Sequence, residues 1–299
     1  MTKSILIHSD EYANWVFQST HPTQGRRFIN AKNLLQDYIP NIEIIPTRNA
    51  TVEELELVHS KEYINFVLEE GKSNEWFGSR PDLSNIASMF VGGTLVGLDN
   101  LLSGKALTAI HFPGAKHHAQ KNRSSGFCVF ADFSIAAHIA SKNFGKRIAI
   151  IDIDAHHGDG TENLTINNPD ILSYSIHEYG IFPGTGYDSY PEYNAYNYAL
   201  GLDDTEKTDS ALFRGLNLFI EKAKSFNPDL IFIACGADGH NEDPLSNLEY
   251  TVEGYRQVAS MLVENFPGLP FLMGGAGGYL PDSRTPQVWA NFAKVISSR

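Results

Sequence analysis

The stretch Ile148-Ala149-Ile150-Ile151-Asp152-Ile153-Asp154-Ala155-His156-His157-Gly158-Asp159-Gly160 decides the fold. A short, β-branched apolar run drives into three carboxylates and two imidazoles. Such a run reads as a buried strand, and the polar burst marks its carboxyl end. Side chains two apart on a strand share a face, which lets Asp154 and His156 converge on one metal ion. Carboxylate oxygen and neutral imidazole nitrogen are both ordinary zinc ligands. Strand ends also carry structural Asp and His, so the local pattern alone leaves both readings open.

The same rhythm runs along the whole chain. Residues 4–7, 43–45, 107–111, 147–153, 171–176, 230–235 and 270–273 read as strands. Residues 26–38, 62–70, 86–102, 131–143, 209–226, 248–265 and 285–297 between them carry helical periodicity. Thr51-Val52-Glu53-Glu54 has the pattern of a capping box opening a further short helix. Alternating strands and helices predict an α/β fold: one domain over residues 1–299, with a central, mostly parallel sheet and helices on both faces. In such sheets, sites form beyond the carboxyl ends of the strands.

Bulk properties narrow the function. The 299 residues are 42% hydrophobic and 19% charged, an ordinary globular composition. A net charge of −12 argues against general nucleic-acid binding and against docking on anionic membranes. It is compatible with cationic substrates such as lysine peptides or polyamines, but solubility is the stronger reading. No segment approaches the roughly 20 apolar residues that span a bilayer. The apolar start, Ser4 to Ile7, is too short for a secretory signal. Cys128 and Cys235 sit in apolar contexts and read as two buried thiols rather than a disulfide. A cytoplasmic protein is expected.

Each further polar motif follows a strand. Phe112-Pro113-Gly114-Ala115-Lys116-His117-His118-Ala119 offers two adjacent imidazoles, suited to proton transfer or ligation. Ser125-Gly126-Phe127-Cys128 reads as a turn presenting a ring to a pocket, or as core. Ser175-Ile176-His177 precedes Ile181-Phe182-Pro183-Gly184-Thr185-Gly186, a Gly/Pro loop. In Cys235-Gly236-Ala237-Asp238-Gly239-His240, Asp238 is placed to be a third ligand. Asp154, His156 and Asp238 would then leave one position of a catalytic zinc open to water. Met273-Gly274-Gly275-Ala276-Gly277-Gly278-Tyr279 lacks the Lys-Ser/Thr of a P-loop. Its glycines are suited instead to delivering a phenol toward a developing oxyanion.

In combination and order, HHA, GFC, DxDxHHGDG, FPGTG, GAD…DP and GGAGGY resemble the histone deacetylase family, which also holds acetoin-utilisation-type proteins and acetylpolyamine amidohydrolases. The resemblance runs from about His59 to Trp289, and His21-Pro22 with Arg26 looks like the bacterial members. It implies one zinc per chain on Asp154, His156 and Asp238. It implies His117 and His118 as tandem catalytic histidines paired with Asp152 and Asp159, and Tyr279 polarising the scissile carbonyl. It implies Phe127 and Phe182 as walls of an acyl-lysine tunnel, with Gly126 and Leu245 also at the substrate. A structural potassium ion would use Asp152, Asp154, His156, Ser175 and Ile176. The expected activity is zinc-dependent removal of an acyl group, acetyl in the first place, from acyl-lysine in proteins or peptides. The alternative is deacetylation of acetylpolyamines or other small N-acyl amines.

The chain departs from the family pattern in places. The rim aspartate that grips a peptide backbone in many lysine deacetylases has no clear match between Glu75 and Ser84, and Asp82 is the nearest candidate. Leu245 stands where eukaryotic polyamine deacetylases carry glutamate. Lys116 is expected to add a positive charge at the rim. Ala276 interrupts the glycine run and is tolerable unless its backbone needs positive φ. A binuclear manganese ureohydrolase shares the expected fold but needs more bridging carboxylates than Gly236–His240 provides. An inactive binding module would be expected to have lost a ligand, a histidine or the tyrosine.

Overall fold

The computed structural model describes residues 4–298. Residues 1–3, where the reading of the amino terminus begins, and residue 299 at the end of the expected domain lie outside the described residues. In chain order the elements are β1 (Ser4–His8), α1 (Arg26–Tyr38), β2 (Glu43–Pro46), α2 (Val52–Leu55), α3 (Lys61–Leu68), α4 (Pro81–Leu102), β3 (Thr108–His111), α5 (Asp132–Phe144) and β4 (Ile148–Asp152). The second half continues with α6 (Asp159–Thr165), β5 (Ile171–Glu178), β6 (Ala195–Leu200), α7 (Asp209–Phe226), β7 (Leu230–Ala234), α8 (Val252–Asn265), β8 (Phe271–Gly274) and α9 (Arg284–Ser297).

The strands form one sheet of order β2-β1-β3-β8-β7-β4-β5-β6, and every pairing among the described residues is parallel. Parallel strands need helical crossovers, which cover both faces and explain the near-continuous apolar runs. Helices α3 to α6 pack as one group, and α1, α9, α8 and α7 as another. This is a single α/β domain, as expected. The Thr51 hydroxyl accepts from Glu54 N–H while the Glu54 carboxylate accepts from Thr51 N–H, the expected capping box. No helix of the described residues is long and apolar enough to cross a membrane.

Consecutive strands β3 and β4 are separated in space by β8 and β7. That inserted pair creates a switch point, where loops from both sides diverge and leave a crevice. All four strands end there. Their loops are held down by buried contacts. The Trp289 ring of α9 stacks on Phe28 at 5.9 Å and on Phe112 at 5.8 Å, and its Nε1 donates to the Cys235 carbonyl at 2.9 Å. The buried Asp132 carboxylate accepts from the Ala115 and Lys116 N–H groups at 3.0 and 2.7 Å. Helix α5 thereby fixes the loop that presents the two histidines.

Candidate active site

Strand β4 ends at Asp152, so Asp154 and His156 do not converge by strand alternation as the sequence suggests. A turn does the work. Asp154 N–H donates to Asp152 Oδ1 at 3.0 Å, and His156 N–H donates back to Asp154 Oδ1 at 2.9 Å. Asp238, beyond β7, meets them: its Oδ1 accepts from Ala155 N–H at 3.0 Å, and its Oδ2 lies 3.0 Å from His156 Nδ1. One ligand atom from each of Asp154, His156 and Asp238 lies within 4.8 Å of the others, and all three residues are buried.

The cluster's electrostatics call for a cation. Burial drives the His156 pKa down, yet the hydrogen bonds to Asp154 and Asp238 reverse this and raise it to about 11. Burial also pushes Asp238 up, to about 6, helped by the neighbouring Asp154. Two carboxylates closing on one imidazole are a zinc-type donor set, with room for a further ligand. The glycines of the last motif make that approach possible. Gly277 N–H donates to Asp154 Oδ2 at 2.6 Å, and a Cβ there would overlap Asp238 Oδ2.

His117 and His118 stand beside this cluster with ring centroids 3.9 Å apart. His117 Nδ1 lies 2.7 Å from Asp152 Oδ2, and His118 Nδ1 lies 2.7 Å from Asp159 Oδ1. An ionised carboxylate only accepts, so each Nδ1 carries the proton and each Nε2 points the other way. The two rings differ in charge. Burial opposes protonation of His117, but Asp152 and Asp154 raise it to about 9. Burial, then the charge on His117, lowers His118 to about 4. The carboxylates around His117 favour its charged form, while burial favours the neutral form of His118.

A pocket of about 400 Å³ opens onto His118, walled by Phe127, Ile181, Phe182 and Leu245, with Gly126, His156 and Tyr279 around it. Gly126 has φ 53°, and a side chain there would strike the His118 ring, so both conformation and space call for glycine. The Tyr279 ring meets Phe127 edge-on at 5.9 Å, and its N–H donates to Asp243 Oδ2 at 2.7 Å. Burial raises the phenol well above 10, so it remains a donor. Asp152 and Ser175 are Cα partners across β4 and β5, with Ile176 next in β5.

Two expectations need correction, and the condition set on Ala276 is met. Asp82 does not reach the pocket; it pairs with Arg80 at 2.6 Å at the start of α4. The carboxylate at the pocket belongs to Glu75, which accepts from Phe127 N–H at 2.9 Å and which burial shifts upward in pKa. Lys116 is not at the rim. It is buried over the Phe28 and Phe90 rings, at 5.8 and 5.1 Å, and burial lowers it to about 8. Ala276 does adopt positive φ, 53°, a conformation that costs an L-residue about 1–2 kcal/mol. Both cysteines are free and buried, as expected.

A buried free base, a phenol and a cation-seeking cluster at the end of an apolar pocket are the equipment of a hydrolase acting on a carbonyl. The family model of the histone deacetylase domain matches residues 21–296, and the chain belongs to that family. It is thus a hydrolytic deacetylase. The acetoin utilization protein AcuC of Bacillus subtilis (strain 168) is 35% identical over 97% of this chain and 81% of its own length. AcuC of Staphylococcus aureus (strain MRSA252) is 31% identical over the same shares. The crystal structure of the HDA15 HD domain superposes with a TM-score of 0.84, covering 99% of this chain and 90% of that one at 21% identity, a likeness of fold.

Proposed function

We propose that this protein removes an acetyl group, or a similar small acyl group, from acyl-lysine in peptides or proteins, using one zinc ion held by Asp154, His156 and Asp238. The observation that carries the reading is the aromatic-walled pocket ending at His118, Tyr279 and the buried ligand cluster. Such a shape fits a linear acylated amine entering end-on. Zinc held by these three residues would supply Lewis-acid polarisation of the amide carbonyl and acidify a bound water.

The remaining chemistry falls to the side chains. Phe127 and Phe182 flank the aliphatic stem and exclude water from it. His118 takes a proton from the attacking water at Nε2, while Asp159 holds its Nδ1–H. It then returns that proton to the departing amine. His117, charged and held by Asp152, stabilises negative charge accumulating nearby. Tyr279 donates its hydroxyl proton in a hydrogen bond to the carbonyl oxygen as that oxygen becomes an oxyanion. A structural potassium ion at Asp152, Asp154, His156, Ser175 and Ile176 would brace the turn that carries the ligands, in part through backbone carbonyls. The products are a carboxylate and a free amine.

A second reading, a small acylated amine such as an acetylpolyamine, is favoured by Glu75. It is a half-buried carboxylate on a mostly apolar pocket, with no ion-pair partner among the described residues. The test is amine release by zinc-loaded protein from acetyl-lysine peptides, longer acyl-lysine peptides, and acetylated putrescine, cadaverine and spermidine. Higher kcat/KM on acetyl-lysine peptides is expected. Higher kcat/KM on acetylpolyamines, falling about tenfold in Glu75→Gln as a lost charge-assisted hydrogen bond would dictate, would replace the first reading with the second.

A further inference from the structure

Phe182 is shared between the pocket and a second, polar cavity of about 410 Å³, whose wall includes Gln120, Asp159 and Asn163. Asp159 and Asn163 are four residues apart on α6 and so lie on one face of that helix. The Gln120 amide sits between them. Its Nε2 donates to Asp159 Oδ2 at 2.7 Å and to the His118 carbonyl at 3.2 Å. Its Oε1 accepts from Asn163 Nδ2 at 3.2 Å. Asp159 thus spends one oxygen on His118 Nδ1–H and the other on Gln120. A carboxylate with both oxygens committed keeps one orientation; one freed on the cavity side can rotate toward water.

We propose that Gln120 is a positioning residue: it locks Asp159, and through Asp159 the His118 ring, in the orientation that aims Nε2 at the reacting water. This rests on the reading of His118 as the base. The Gln120 backbone is anchored independently of its side chain. Its N–H donates to the Arg123 carbonyl at 3.0 Å, and its carbonyl accepts from His59 Nδ1 at 2.9 Å. The loop is therefore expected to survive loss of the amide. Partners that orient a catalytic group from behind are commonly worth about 10–100-fold.

The experiment is steady-state hydrolysis of an acetyl-lysine peptide by full-length, zinc-loaded variants. Gln120→Leu is expected to lower kcat about tenfold with KM within about twofold of wild type. Gln120→Lys, which returns an N–H donor to Asp159, is expected to recover most of that loss. Gln120→Glu, which sets an acceptor against a carboxylate, should fall below the leucine variant. In a His118→Ala background, Gln120→Leu should add nothing, because the two act as a unit. Wild-type kcat in Gln120→Leu, a lysine variant no better than the leucine one, or a loss that persists without His118 would each overturn the proposal. Should Gln120→Leu fail to fold, Asn163→Ala leaves the amide in place but unsupported. A kcat reduction of about threefold is then expected, and unchanged kcat overturns the proposal. Wild-type activity in His118→Ala alone would instead remove the reading of the base on which the proposal stands.

Discussion

His118→Ala is expected to lower kcat roughly 10²- to 10⁴-fold while zinc content stays at the wild-type level. Among the described residues lining the pocket, His118 is the imidazole that lies outside the ligand cluster. The carboxylates of Asp152 and Asp154 favour the charged form of His117, and Asp152 pins its Nδ1. His156 belongs to the ligand cluster. Burial and the adjacent charge lower His118 to about 4, so its Nε2 lone pair is available at neutral pH. The Nδ1–H bond to Asp159 offsets the charge that the ring acquires on taking a proton. Alanine removes the acceptor and keeps every ligand. Full activity in that variant would contradict the assignment.

Tyr279→Phe is expected to cost about 10²–10³ in kcat, the range for deleting one oxyanion donor. The ring itself is well fixed: Phe127 meets its edge, the Arg27 guanidinium lies 5.8 Å from its centroid, and Asp243 holds its backbone N–H. Phenylalanine keeps that packing and loses only the hydroxyl. The substitution therefore separates chemistry from folding. Turnover should collapse, KM should move little, and metal content and melting temperature should stay near wild type. Turnover equal to wild type would take the phenol out of the reaction.

The sheet is readable because its inner strands are apolar and buried on both faces, which leaves continuous apolar runs such as Ile148–Ile151. Strand β6 is not legible in the sequence, unlike the other edge strand β2 with its Ile44-Ile45 pair. Its Tyr196-Asn197-Tyr198 centre is half-solvated and carries no such run. Helix α6 is short and polar, below the length at which periodicity shows. The ligand and histidine motifs were legible because each polar burst directly follows a strand, where the topology must gather them. The roles of Glu75 and Gln120 were not. Glu75 gains its place from a loop folding over Phe127, and Gln120 from helix α6 docking beside the histidine loop. Neither pairing is local in sequence. Asp82 and Lys116 misled for the same reason: an acid near the rim segment found a neighbouring arginine, and a lysine beside two histidines turned inward over aromatic rings.

The proposed function requires a single catalytic zinc site acting on an N-acyl amide. Its most direct test is to strip the protein with a chelator and titrate zinc back while following amine release from an acetyl-lysine peptide and from acetylated spermidine. Activity should be absent at the start, rise linearly, and break at one equivalent. Asp238→Ala should bind no zinc in that range and stay inactive. Full activity in the stripped protein, a break at two equivalents, or zinc binding that restores no hydrolysis of either substrate would contradict the account.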